Sequence, residues 1–397
     1  MTYLMQLVII LLLTKLGAHV SNLLKLPSVI GELLIGVLAG PAVFHLLTPT
    51  TFIQYFSEFG VIILMFIAGL EGDLNLLMRY WRPALTVATL GVIFPTASAA
   101  ALCIFVFNFQ WTTAIFIGLV LSATSVSISV QVLKEMHRLN SREGAIILGA
   151  AVADDIMCVI LLGICVGLFG SGSAASNQSL PLMLITKLLF FVVMFALGKW
   201  FVPRFLQFFS KLTASENETT AALILCFGFA ALAVALGMSD VLGAYFAGLA
   251  ISETNFKEKL ALKIEPIGYA VFIPVFFVSI GLNISFAGMQ HDLIFITSLI
   301  IIAVLGKQIG GALGARLFHL DWSAANIVGA GMISRGEMAL VVANVALSTH
   351  LIDQNHYTAM IVVTVVTTII APFILKIFIQ QSDNQQVNSM KLNEVKQ

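Results

Sequence analysis

The sequence predicts an all-α integral membrane protein of thirteen transmembrane helices, with its N-terminus outside and its C-terminus inside. Three observations carry that expectation. Of 397 residues, 59% are hydrophobic and 10% charged, with a mean hydropathy of +1.01, whereas a soluble domain carries about 25% charged residues. Apolar stretches of bilayer-crossing length follow one another along nearly the whole chain. The basic residues, finally, gather in alternate connections between those stretches.

The candidate spans run approximately 3–20, 28–47, 57–74, 84–107, 112–133, 143–168, 182–209, 219–236, 240–252, 265–284, 292–316, 323–349 and 357–380. Most approach or exceed the ~20 residues that a helix needs to cross the hydrocarbon core, and the ninth is short. The opening stretch, MTYLMQLVIILLLTKLGAHV, has neither a basic region before its apolar run nor a small-x-small cleavage site, so it reads as a retained helix. The closing stretch, residues 381–397, is polar and is expected to be a disordered cytoplasmic tail.

Counting connections in order, the odd ones and the C-terminal end carry Lys15 and Lys25; Arg79 and Arg82; Lys134, Arg138 and Arg142; Lys199, Arg204 and Lys211; Lys257, Lys259 and Lys263; Arg316; and Lys376, Lys391 and Lys396. The even connections carry none, and a wrong span count would scramble this alternation. The odd side is therefore cytoplasmic. Three basic residues remain. Lys187 lies near a span end, where its stem can snorkel outward. Lys307 and Arg335 each sit more than two turns from either end of a span.

A formal net charge of zero gives no electrostatic case for nucleic acid. Cys103, Cys158, Cys165 and Cys226 lie in apolar runs without ligand spacing and read as small hydrophobes. The histidines lack HExxH spacing, and His137 reads as part of a solvated loop. No GxxxxGK[ST] or GxGxxG stretch supports ATP coupling or a dinucleotide site. Glu32, Glu71 and Asp73 fall near span ends, where solvation by the interface is expected.

The chemistry gathers elsewhere. Asp154 and Asp155 stand side by side in AVADDI, although each carboxylate at bilayer depth costs roughly 2.5–3.5 kcal/mol. At 1.5 Å per residue Asp154 lies about 17 Å along the sixth span, near the midplane. Neighbouring helical residues point ~100° apart, so the two cannot share a proton as an aspartic-protease dyad does. Lys307 reaches a similar depth in the eleventh span. One aspartate is expected to pair with it while the other faces an aqueous cavity. At ~4 Å and an effective dielectric near 20 such a pair gains about 4 kcal/mol, comparable to the burial cost of one charge. A purely structural salt bridge is the alternative, but it leaves the second carboxylate without a purpose.

Two more mid-span stretches are unusual: SATSVSIS, residues 122–129, and GAGMISRGEM, residues 329–338. Discontinuous helices at a transporter midplane look like this, whereas an ordinary helix could bond its hydroxyls back to the preceding turn. The two lie seven spans apart and so run in opposite directions, as inverted-topology repeats with two broken helices require. Arg335 and Glu337 then compensate the broken ends, the base near a negative C-terminus and the acid near a positive N-terminus. A plain structural role is open to both.

Those stretches, with LPSVIGELLIGVLAGP, FIAGLEGDL, PVFFVSIGL, GKQIGGALGAR and SRGEMALV, resemble the cation:proton antiporter superfamily, and within it the NapA-type bacterial sodium/proton antiporters, over nearly the whole chain. The resemblance implies a homodimer in the bacterial cytoplasmic membrane. A dimerisation domain (1–83 and 210–290) would hold a core domain (84–168 and 291–380), with a linker helix at 182–209. It implies Asp155 as the principal cation- and proton-binding carboxylate and Asp154 as the partner of Lys307, with Thr124 and Ser125 supplying oxygen ligands. Elevator-like movement of the core would expose the site to each side in turn. The ligands are the transported Na⁺ (or Li⁺) and H⁺; neither a cofactor nor an enzymatic reaction is expected. Paired aspartates with a lysine resemble the electrogenic branch. Asp154, in place of glutamine, departs from the potassium-efflux branch, though short relatives move K⁺. A passive channel would need stacked polar rings rather than one cluster, and an intramembrane aspartyl protease needs its aspartates on two helices.

Overall fold

The computed structural model describes residues 3–24, 26–41, 43–169, 180–282, 293–348 and 351–394, and among these every regular element is helical. The expectations for Lys25, Lys396 and the connections at 170–179 and 283–292 lie outside the described residues. Among the described residues ten helical stretches are long and apolar enough to cross a membrane, one of them, Trp111–Glu135, interrupted in the middle. Each overlaps one of the expected spans. The other three spans correspond to shorter helices, Ser28–Ala39, Asp240–Ser252 and the pair within 322–348.

By packing, the chain forms two units, Met1–Met78 with Ser176–Ser285, and Arg79–Ala175 with Phe286–Gln397. The first contains α1 (Tyr3–Leu23), α2 (Ser28–Ala39), α3 (Thr51–Glu71), most of α4 (Leu74–Arg79), α9 (Leu180–Ala196), α10 (Val202–Ser210), α11 (Asn217–Ala235), α12 (Asp240–Ser252), α13 (Lys257–Ile267) and α14 (Ile273–Leu282). A π-turn at Leu197–Phe201 joins α9 to α10, and another at Gly268–Phe272 joins α13 to α14. Lys15 of α1 donates to the Tyr269 carbonyl in that second turn at 3.0 Å.

Close helix crossings hold this unit together. A Cβ on Gly69 of α3 would lie 2.1 Å from the Tyr245 carbonyl of α12, and one on Gly248 equally close to Phe66 O. The same arrangement joins α2 to α14, where Gly36 faces Val278 O and Gly281 faces Leu33 O. Lipid supplies no hydrophobic drive between helices, so backbones gain by approaching closely, and only residues without a side chain permit it.

Two expectations change here. Lys187 does not snorkel outward: it is buried and donates to the Gly237 carbonyl. Gly237, at φ +68°, follows the C-terminus of α11, where freed carbonyls and the negative end of the helix dipole attract a cation. Glu32, expected to be solvated, is buried within α2, which packs against both α1 and α14.

The second unit contains α5 (Trp81–Phe105), α6 (Trp111–Ser122), α7 (Val126–Glu135), α8 (Arg142–Phe169), α15 (Leu293–Arg316), α16 (Trp322–Gly331), α17 (Glu337–Ser348) and α18 (Gln354–Glu394). Helices α5 and α15 form its central pair. Gly306, Gly310 and Gly314 recur every fourth residue, and a Cβ on each would lie 2.9 Å from Pro95 Cα, 2.5 Å from Leu90 O and 2.7 Å from Val87 Cα. One glycine face thus runs along α5 over more than two turns. Around that pair the packing repeats: α6 and α8 lie on α5, as α16 and α18 lie on α15.

The polar tail departs from expectation. Rather than becoming irregular after Gln380, α18 continues through Glu394. The stretch contains neither proline nor glycine beyond Pro372, and Asp383 forms an ion pair with Arg138 beside α7.

Candidate ion-binding site

Two interrupted helices build the site. Helix α6 stops at Ser122, whose hydroxyl bonds back to Leu119 O at 2.8 Å, and α7 starts at Val126. Between them Ala123 (φ −65°, ψ 133°) and Ser125 (φ −104°, ψ 115°) are extended. Helix α16 stops at Gly331, α17 starts at Glu337, and Met332 to Gly336 run between.

A break inside a membrane protein frees backbone groups that lipid cannot satisfy. Here six consecutive carbonyls are all answered. Gly331 O accepts from the Ser129 hydroxyl at 2.6 Å, and Met332 O from the Thr124 hydroxyl at 3.5 Å. Ile333 O accepts from Arg335 Nη1 at 2.8 Å, and Ser334 O from the Ser125 amide at 2.8 Å. Arg335 O accepts from the Thr368 hydroxyl of α18, and Gly336 O from the Ala339 amide at 3.1 Å in the first turn of α17. The Ser334 hydroxyl, in return, donates to Ser125 O. The two breaks therefore pair with each other, residue 125 against residue 334.

Charge then meets the exposed helix ends. Arg335 is fully buried, and its guanidinium donates to Leu121 O near the end of α6 at 3.0 and 2.7 Å and to Ala303 O of α15 at 2.7 Å. A cation thus sits where the C-terminal dipole of α6 is negative. On the other side of the first break, the Thr124 amide, just before α7, donates to Asp154 Oδ2 at 3.0 Å. An anion sits at the positive end of α7.

Asp154 has a second partner. Lys307 Nζ lies 3.1 Å from its Oδ1, with both side chains wholly buried. Gly91 of α5 faces the ammonium, and a Cβ there would lie in ordinary contact with Nζ at 3.6 Å. Asp155, next along α8, is half-buried and points about 100° away from Asp154. Cys158, one turn beyond Asp154, places its sulfur 3.7 Å from the Ser122 hydroxyl. Glu337 is the first residue of α17, and its side chain lies outside the described residues.

A family model described as "Sodium/hydrogen exchanger, transmembrane" matches residues 8–381. The chain belongs to the sodium/hydrogen exchanger family. It is 43% identical over 380 residues to an Na⁺/H⁺ antiporter of Enterococcus hirae, covering 93% of this chain and 96% of the relative. It is also 43% identical over 371 residues to the Na⁺/H⁺-K⁺ antiporter GerN of Bacillus cereus, covering 94% and 95%. Among solved structures, a sodium proton antiporter from Methanocaldococcus jannaschii matches at a TM-score of 0.72 and 17% identity, over 95% of this chain and 96% of that one. That likeness concerns the fold alone.

Within this exchanger the structure brings Asp154, Lys307 and the Thr124 amide into one cluster, and Ser125 and Arg335 into the paired breaks. Thr124 meets Asp154 through its backbone, while its hydroxyl turns to Met332 O. Sequence reasoning did not single out Ser129, Ser334 or Thr368. Ser129 and Ser334 lay inside quoted stretches, but their bonding depends on how the two breaks align. Thr368 had a weak signal: Thr364, Thr367 and Thr368 crowd one otherwise apolar run, and all three are buried.

Proposed function

We propose that this exchanger carries Na⁺ (or Li⁺) and protons in opposite directions across the bacterial cytoplasmic membrane, with Asp155 as the group for which the two compete. The observation that carries the reading is the buried Asp154–Lys307 pair at 3.1 Å beside a half-buried Asp155. Asp154 is balanced by Lys307, and the neighbouring Asp155 is the carboxylate for which proton and cation compete. A proton neutralises it on one face; a cation displaces that proton on the other. Thr124 and Ser125 supply oxygens near the break, and Lys307 releases or retakes its own proton as the Asp154 carboxylate is engaged. With both aspartates taking part, exchange is electrogenic.

The same reading assigns the unit containing Asp154 to the moving part, in an elevator-like alternating access, and the unit containing α1 to α3 to a scaffold that forms a homodimer. Thirteen spans with the N-terminus outside follow if the three shorter apolar helices also cross. The repeated packing, α6 and α8 on α5 as α16 and α18 on α15, and α3 on α12 as α14 on α2, supports inverted repeats. Potassium is the second reading, because one relative of 43% identity is an Na⁺/H⁺-K⁺ antiporter.

The test is exchange driven by a pH gradient in proteoliposomes, comparing Na⁺, Li⁺ and K⁺ with and without a clamped potential. Asp155→Asn is expected to abolish exchange with every ion. Wild-type rates in that variant would sink the assignment of Asp155.

A further inference from the structure

We infer that Thr368 of α18 is a positioning residue for the ion site, holding the second break so that Arg335 and the first break keep their geometry. Thr368 is 1% exposed, and its hydroxyl donates to the carbonyl of Arg335. That carbonyl cannot find a partner in helix α17, which begins two residues later at Glu337. The bond fixes the peptide leading from Arg335 to Gly336, and with it the direction in which the Arg335 side chain leaves the backbone.

The chain of contacts then runs back to the carboxylates. Arg335 donates twice to Leu121 O, near the end of α6. Three residues later the Thr124 amide grips Asp154, which grips Lys307. Alongside, Ser125 is bonded to Ser334, the residue before Arg335, through both its amide and its carbonyl. Tilting the Arg335 peptide therefore disturbs both sides of the first break at once. The symmetry of the design supports this. At the first break a side chain of α8, Asp154, accepts from a freed amide; at the second, a side chain of α18, Thr368, donates to a freed carbonyl. Each break is secured by the long helix that follows it.

The same hydroxyl also lies 2.8 Å from Thr364 O, the usual back-bond of a helical threonine. A purely local role would use that bond alone, and the two roles differ in what they predict. Thr368→Val keeps the shape and removes the donor, leaving Arg335 O buried without it. Thr368→Ser keeps the donor.

The inference rests on the ion site proposed above, and the experiment separates the two. Full-length protein is reconstituted, exchange is normalised to the amount of folded transporter, and Na⁺ is titrated. Thr368→Val is expected to raise the apparent KM for Na⁺ about tenfold, the consequence of one lost buried hydrogen bond, with Thr368→Ser near wild type. Cation-induced thermal stabilisation of detergent-purified protein should weaken in parallel, which keeps the test open where the valine variant gives little folded protein. A valine variant with wild-type KM, or a serine variant as impaired as valine, overturns the role of Thr368. Wild-type exchange by Asp155→Asn overturns the site instead.

Discussion

The two broken helices solve one problem with opposite means. Between α6 and α7 the freed amide of Thr124 is met by a carboxylate, and that carboxylate is itself balanced by Lys307 at 3.1 Å. Between α16 and α17 the charge of Arg335 is spread over the carbonyls of Leu121, Ala303 and Ile333. A permanent guanidinium on fixed dipoles has no state to change. A lysine on a single carboxylate is a pair of point charges that a bound cation can separate. On the proposed mechanism the difference is a division of labour: the second break would hold and the first would respond.

The largest effect should therefore come from removing the fixed charge. Arg335→Met leaves three buried carbonyls without their donor, at about 1–3 kcal/mol each, or roughly 3–9 kcal/mol in all. The expected outcome is a steep loss of folded protein and of melting temperature in detergent. Arg335→Lys should recover only part of it, since one ammonium cannot reach carbonyls on α6, α15 and the break together. Full stability of Arg335→Met would show that the second break does not depend on its cation.

Next comes the switchable pair. Lys307→Met strands the Asp154 carboxylate in a wholly buried place, a change of about 3–5 kcal/mol when one partner of a buried pair is removed. The double variant Asp154→Asn with Lys307→Met should regain much of that loss, because neutral residues of similar volume replace the pair. Stability and transport should then part company, with melting temperature recovering while the dependence of exchange on membrane potential is altered. Arg335 offers no such rescue. Equal destabilisation of single and double variants in a thermal-shift comparison would erase the contrast between the breaks.

Much of the contrast was visible before any coordinates. Hydropathy was enough to place the ten long apolar helices, because it follows from the solvent and needs no packing detail. Depth along two helices was enough to bring an aspartate of AVADDI level with Lys307. What periodicity could not supply was the alignment of one break on the other. The bonds between Ser125 and Ser334, or from Ser129 to Gly331, join residues about 200 positions apart, and no local pattern encodes them. Lys187 was misjudged for a related reason: its partner, Gly237 O, is freed only because α11 ends where it does. The helical course of residues 381–394 was missed because polarity was weighed above the absence of helix breakers.

The smallest effect tests whether the two breaks are mechanically joined. Gly336 ends the second break, and a Cβ there would lie 2.6 Å from Ser125 Oγ and 2.7 Å from Ser125 Cβ. The hydroxyl can rotate aside; the Cβ cannot, because Ser125 is held through its amide and carbonyl by Ser334. Gly336→Ala must then push the breaks apart by several tenths of an ångström, at about 1–3 kcal/mol for overpacking a tight site. If the breaks move as one, that displacement reaches Thr124, the neighbour of Ser125, and loosens its grip on Asp154. The variant is expected to lower melting temperature modestly and to raise the apparent KM for Na⁺ together with it. A melting temperature that falls while KM stays at the wild-type value would mean that the second break can shift without the first noticing, and the division of labour would then be a separation.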